Sequence, residues 1–230
     1  MQIQYSGELN NKLVSGDMMK KSERTKDVST QVKNPELVLR RRRQIVDSSV
    51  KLFIENGFHK TTTRQIASAA GFSIGSLYEY VASKDDVLYL VCDAIHEEVE
   101  QGVMAALSRN ASDLSALREV IMEYIIVCDR MRNHLLLIYQ ETKSLPKKWR
   151  DNVLQNEVRI TDIFVDVIAR TIASGEMPEM DDRSIALLAH NITVLGHMWT
   201  FRQWFLDREY TLEEYIKFQT DFIISAALER

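Results

Sequence analysis

Between Thr61 and Val81 the chain carries two helix-start signals eleven residues apart with a glycine between them, and this spacing leaves little freedom of fold. Thr62 is followed three residues on by Gln65, the pairing in which each side chain satisfies a backbone N–H at a helix start. Ile66, Ala69 and Ala70 then share one helical face, where alanines let a second helix come close. Gly71 supplies the left-handed conformation that ends a helix, and Ser73 is placed to cap the next one. Leu77 and Val81, four apart, anchor that helix from its buried side. Two helices joined this tightly form a helix-turn-helix, whose second helix enters the DNA major groove N-terminus first.

The remaining chain is also built for helices. Only 8 Gly and 3 Pro interrupt 230 residues, 3.6-residue periods recur, and no alternating strand pattern is evident, so the expected class is all-α. The hydrophobic content of 45% suffices for a small and a larger core. No apolar run reaches the length of a bilayer and no signal-peptide core opens the chain, so a cytoplasmic protein without a membrane partner is expected. The net charge of −4 divides unevenly. Residues 1–84 hold 14 Lys and Arg against 8 Asp and Glu, whereas the rest hold 15 against 25. A basic end suits phosphate neutralisation and an acidic end is turned away from the duplex. In the run Arg40-Arg41-Arg42-Arg43, Arg41 is taken as a phosphate contact, with a solvated helix start as the alternative.

Caps and breaks give nine helices. Residues 1–37 read as a flexible arm, 38–98 as the DNA-reading domain, and 99–230 as a ligand-binding and dimerisation domain. Asn34-Pro35 opens the first helix and Gly57 closes it. Ser83 with Asp86 caps a long fourth helix to about Ser108; Ser112 or Asp113 opens the fifth, which breaks near Arg132. A short helix covers Leu135 to Thr142, and another runs from Pro146 to Ser174 before Gly175. Asp181 or Asp182 begins a helix to about Leu206, and Thr211 with Glu214 boxes the last, ending near Leu228.

Gly71-Phe72-Ser73-Ile74-Gly75 also fits G-x-S-x-G, the nucleophile elbow of α/β-hydrolases. That elbow needs a strand feeding the serine, and Ile66 to Ala70 is helical in period. No phosphate loop, dinucleotide fingerprint or triad in context occurs, so no catalytic residue, cofactor or metal is assigned. His96-Glu97-Glu98-Val99-Glu100 lacks the second histidine of a zincin motif. Cys92 and Cys128 lie in apolar helical stretches and read as reduced, buried thiols.

From Arg40 to Leu90 the ordered set of signals resembles the TetR (TetR/AcrR) family of bacterial regulators. The carriers are the arginine-led first helix with Ile45, Ser49, Leu52 and Phe53, the stop Glu55-Asn56-Gly57-Phe58, the Thr-Thr start, Ile66-Ala67, Ala70-Gly71, Ser73 to Tyr78, and Ser83 to Leu88. Val81 departs from the phenylalanine of many members but keeps an apolar packing role. The resemblance implies a homodimeric repressor on a double-stranded, palindromic operator, released by a small hydrophobic effector. It places Ser73, Gly75, Ser76 and Tyr78 on the groove-facing side, with Ile74 and Tyr80 beside them. Thr63 and Arg64 stand at the start of the second helix, and Lys84 is positioned to meet a phosphate.

From Ile185 to Phe205 apolar residues wrap nearly the whole helix, which must be buried on most sides. Ile185, Leu188, Ile192, Leu195 and Trp199 are assigned to a dimer interface, because a two-fold reader spans half-sites about 34 Å apart. An interhelical pocket is assigned to Tyr124, Cys128, Met131, Tyr139, Phe164, His190, Val194, His197 and Phe201, residue types that also fill ordinary cores. A weaker likeness from Leu135 to Leu206, including Ser174-Gly175-Glu176 and a Trp-x-x-Arg-x-Trp run, is to FadR-like members that answer to acyl-CoA or fatty acids. A multidrug-type pocket and a helical interaction protein without DNA binding remain the alternatives.

Overall fold

The computed structural model describes residues 28–107 and 113–229, and among these the chain is helical with no strand. Its α-helices are α1 (Pro35–Asn56), α2 (Thr63–Ala69), α3 (Ile74–Tyr78), α4 (Lys84–Leu107), α5 (Asp113–Arg130), α6 (Arg132–Glu141), α7 (Lys147–Ala173), α8 (Asp182–Glu209) and α9 (Leu212–Leu228), with a 3₁₀ turn at Thr142–Ser144. Nine α-helices among the described residues match the expected number. Most of the expected arm, residues 1–27, and the expected end at Ser108 and start at Ser112 lie outside the described residues.

The caps form where the sequence places them. Asn34 accepts from the Leu37 N–H at 3.1 Å with Pro35 at the first helical position. Thr62 with Gln65 and Thr211 with Glu214 form reciprocal capping boxes. After α2, Phe72 N–H reaches the Ala67 carbonyl at 2.8 Å and Gly71 N–H the Ser68 carbonyl at 3.2 Å. This double closure requires the left-handed φ of +74° that Gly71 supplies. The same bonds recur at Gly175, where Glu176 N–H reaches Thr171 and Gly175 N–H reaches Ile172. Helix α8 runs to Glu209, beyond the expected end near Leu206, because nothing interrupts it before the extended Tyr210.

Helices α1, α2 and α3 form the reader, with Ile45, Phe53, Ile66 and Leu77 buried between them. Helix α1 packs on α4, which continues into the second bundle against α5 and α7. There α5 packs on α8 and α9, and α7 on α8. The close crossing of α4 and α5 occurs at Gly102, where a Cβ would stand 2.6 Å from Val127 Cγ2. Of the expected arm, 1–37, residues 35–37 already belong to α1, and 28–34 lie along the reader: Val28 is buried, and Gln31 N–H donates to the Glu79 carbonyl at 2.9 Å.

Candidate DNA interface and sensor core

The reader presents one face. Arg64, Ser73, Ile74, Gly75 and Tyr78 are exposed along α2 and α3, with Thr63 and Ser76 half-buried among them. Ser73 Oγ accepts the Ser76 N–H at 3.1 Å, so the residue that caps α3 also turns its start outward. Tyr78 donates its hydroxyl to Thr63 Oγ1 at 3.3 Å, tying the exposed end of α3 back to α2. A Cβ on Gly75 would meet nothing closer than Ser73 Oγ at 3.7 Å. Internal packing therefore does not demand glycine at 75. Arg41 lies with its guanidinium 5.2 Å from the Phe72 ring centroid and donates to Gln44 Oε1 at 3.1 Å, which holds a cation at the rim of this face.

Two candidate contacts are occupied elsewhere. Tyr80 is buried against Phe72 at a ring separation of 6.1 Å. Lys84 Nζ donates to the carbonyls of Phe58 at 3.0 Å and Thr61 at 3.1 Å, and sits 4.3 Å over the Phe58 ring. Its ammonium staples the α1–α2 loop, a task that uses the protons a phosphate would take. The basic run also divides. Arg42 is buried and donates from Nε to the Tyr80 carbonyl at 3.1 Å and from Nη2 to the Val28 carbonyl at 2.6 Å, while Arg40 and Arg43 are exposed. Helical phase was the available signal for Arg42, since it lies on the same face as Ile45 and Ser49.

In the larger bundle, six of the nine pocket candidates converge. His197 stands between two phenols, with Tyr124 Oη 2.9 Å from Nε2 and Tyr139 Oη 3.0 Å from Nδ1. Phe164 meets Tyr124 edge-on at 5.2 Å and Phe201 meets Tyr139 edge-on at 4.5 Å. Cys128 is buried beside Tyr124. Burial holds the His197 imidazole below its ordinary pKa and raises the Tyr124 phenol, so the cluster is neutral. Burial also pushes the Cys128 thiol up to about 12, which leaves it protonated and unreactive. The ring is tightly closed: a Cβ on Gly196 would lie 2.5 Å from Tyr124 Cε1 and 3.0 Å from Cys128 Sγ.

One hydrogen-bonded His–Glu pair, missed in the sequence, borders this ring. His96 Nε2 lies 2.9 Å from Glu157 Oε1. Burial raises the Glu157 carboxyl, but the His96 hydrogen bond and the facing histidines outweigh it and hold the group below the usual value. His96 and Glu157 are 61 residues apart in the chain, so no local pattern links them.

Three pocket candidates stand apart from the ring. Met131 is buried at the α5–α6 break, whereas His190 and Val194 lie on the exposed side of α8. A cleft of about 480 Å³ opens elsewhere, between the ends of α5 and α8 and the start of α9, lined by Asp129, Trp199, Gln203 and Glu214. The residues expected on a dimer face turn inward within the single chain. Ile185, Ile192 and Trp199 are buried within the subunit, and Leu188 and Leu195 pack against the same core. The outward stripe of α8 is Leu187, Val194, Met198 and Phe205, which share one helical face, and α9 adds Phe218 and Phe222. Both sides of α8 are apolar, so composition could not say which one faces inward.

Gly71-Phe72-Ser73 is a helix-to-helix turn, with no strand feeding Ser73. Among the described residues no helix is long and apolar enough to cross a membrane.

Comparison with known proteins agrees with this geometry. Residues 45–89 match the family model for bacterial regulatory proteins of the tetR family, and residues 110–225 match the tetracyclin repressor-like C-terminal domain. The chain is 32% identical over 191 residues to the HTH-type transcriptional regulator HbdR of Aromatoleum sp. (strain CIB), covering 83% of this chain and 82% of that one. It is 23% identical to the fatty acid metabolism regulator protein of Bacillus subtilis (strain 168), over 62% of this chain and 74% of the relative. Among solved structures, AibR in complex with isovaleryl coenzyme A and operator DNA superposes with a TM-score of 0.64 at 18% identity, over 79% of this chain and 97% of that one. A helix-turn-helix reader joined by one long helix to an all-helical sensor, with matching models over both parts, makes this chain a member of the TetR family of ligand-responsive, DNA-binding transcriptional regulators.

Proposed function

We propose that the protein is a cytoplasmic homodimeric repressor whose operator is palindromic and whose effector is an acyl-CoA thioester. Residues 38–98 read DNA, and residues 99–230 bind the effector and form the dimer. The observation that carries the proposal is the pairing of one exposed reading face with a separate apolar stripe on α8 and α9. A single α3 reads one half-site, so two-fold association through Leu187, Val194, Met198, Phe205, Phe218 and Phe222 supplies the second.

The sensor ring supports a hydrophobic effector. Tyr139 is half-exposed and covers His197 and Phe201, so its displacement would open these aromatic and hydrogen-bonding side chains to an effector. The likeness to the fatty acid metabolism regulator of B. subtilis and to AibR in complex with isovaleryl coenzyme A favours an acyl chain over an assortment of drugs. Effector binding to a state with α4 displaced would change the spacing of the two recognition helices, with leverage set by differential affinity for the two states. Native mass spectrometry of protein purified from its host tests the reading. A dimer carrying an acyl-CoA mass supports it, and a monomer, or a dimer retaining an unrelated compound, contradicts it.

A further inference from the structure

We propose that Asp86, through the indole of Trp149, is the joint by which the sensor sets the position of the recognition helix. The inference rests on the reading of the chain as effector-responsive. Asp86 lies in the first turn of α4 and is buried. Its two oxygens serve different halves of the molecule. Oδ2 accepts the N–H groups of Ala82 and Ser83, each at 3.0 Å, and so fixes the residues that lead from α3 into α4. Oδ1 accepts from Trp149 Nε1 at 3.0 Å, and Trp149 belongs to the first turn of α7. The indole is held flat against Tyr89, with ring centroids 4.1 Å apart and 14° between planes.

The exit from the recognition helix is thus gripped at two points. Arg42 of α1 holds the Tyr80 carbonyl from within the reader, and Asp86 holds Ala82 and Ser83 with one oxygen committed to the sensor. Glu157, whose carboxylate meets His96, follows Trp149 by eight residues on the same helix, about 12 Å along its axis. A helix moves as a rigid rod over that length. A shift of α7 by about 1 Å at the sensor core would carry the indole N–H out of hydrogen-bond range of Asp86. The carboxylate would then be buried with one oxygen unmatched, which favours its reorientation and frees residues 82–83. A second sensor-to-reader contact, in which His59 Nε2 lies 3.2 Å from Ser144 Oγ and 3.6 Å from Glu141 Oε2, has His59 exposed and offers a control.

The test compares wild type, Trp149→Phe and His59→Ala on a duplex that the wild-type protein selects from a random library, with and without saturating octanoyl-CoA. Phenylalanine keeps a ring against Tyr89 but has no N–H. The expected result is that octanoyl-CoA lowers wild-type and His59→Ala affinity at least tenfold. Trp149→Phe, which leaves the carboxylate unmatched even without effector, binds the duplex at least tenfold more weakly than wild type, still binds octanoyl-CoA by calorimetry, and responds to it less than threefold. A full response by Trp149→Phe overturns the proposal, as does wild-type affinity of this variant for the duplex without octanoyl-CoA; its retained binding of octanoyl-CoA excludes simple unfolding as the cause of weak DNA binding. Should wild type ignore octanoyl-CoA, the effector class is what fails. The joint is then judged by hydrogen exchange of the Trp149 indole N–H: slower exchange when the duplex is bound supports it, and unchanged exchange overturns it.

Discussion

Arg42 Nε donates to the Tyr80 carbonyl at 3.1 Å, so a residue in the middle of a four-arginine run joins α1 to the loop that leaves the recognition helix. The same guanidinium binds the Val28 carbonyl and is held below its ordinary pKa by burial, against the opposing charge of Asp86. Four adjacent arginines therefore do at least two jobs. Arg42→Ala leaves buried carbonyls without their donor and is expected to destabilise the fold by about 2–4 kcal/mol, read by urea denaturation. Arg43→Ala should change stability by less than about 0.5 kcal/mol. If it touches phosphate, its salt dependence of DNA binding should fall by about one unit of slope.

On the reading face, Arg64→Ala is expected to weaken operator binding by about 1–3 kcal/mol with little change in melting temperature, because the side chain is exposed. Tyr78→Phe loses the bond to Thr63 and should also bind more weakly. Fluorescence anisotropy on a labelled duplex gives both values. Wild-type affinity in the Arg64 variant would remove this residue from the interface.

The pH dependence of stability has a definite sign. His197 is held below its ordinary pKa by burial, so the unfolded chain takes up a proton that the folded one refuses. Stability should fall as pH drops below about 6.5. His134, lowered by the same cause, adds to the trend. Asp162 and Asp166, raised by burial, act oppositely, and their burden is relieved only near the acidic carboxylate range. His197→Gln should therefore flatten the slope between pH 7 and 5 relative to wild type. An equal slope in the two proteins would mean that His197 titrates normally in the fold.

The two sides of α8 and α9 predict opposite phenotypes. Phe218→Asp and Phe222→Asp alter exposed side chains and are expected to give folded monomers by analytical ultracentrifugation. Ile192→Asp places a carboxylate in the subunit core and should abolish folding. A folded monomer from Ile192→Asp together with intact dimers from both phenylalanine variants would return the interface to the inner face.

Packing at Gly196 offers a separate check on the sensor. An alanine Cβ there would press on Tyr124 Cε1 at 2.5 Å, a contact with a buried ring that cannot swing away freely. Gly196→Ala is expected to cost about 1–3 kcal/mol in thermal or urea denaturation. No loss of stability would show that α5 and α8 stand farther apart.

Local signals were legible because they are local. The Thr62–Gln65 and Thr211–Glu214 boxes, the Gly71 and Gly175 stops and the Pro35 start each depend on residues within one turn, so the helices could be placed from them. The convergence of Tyr124, Tyr139 and His197 was legible through their aromatic and polar character, although the hydrogen bonds were not. What escaped is long-range choice. The inward turn of Lys84 depends on carbonyls more than twenty residues away, and the His96–Glu157 pair joins two helices far apart in the chain. Helix α8 is apolar all round, so its inner face was settled by which neighbours fill the bundle rather than by its own pattern.

The most direct measurement of the central claim is native mass spectrometry of the protein mixed with its selected duplex, before and after addition of octanoyl-CoA. The account predicts two chains on each duplex, separating into free duplex and ligand-bearing dimer when the thioester is added. One chain per duplex, or a two-chain complex unchanged by bound thioester, would contradict it.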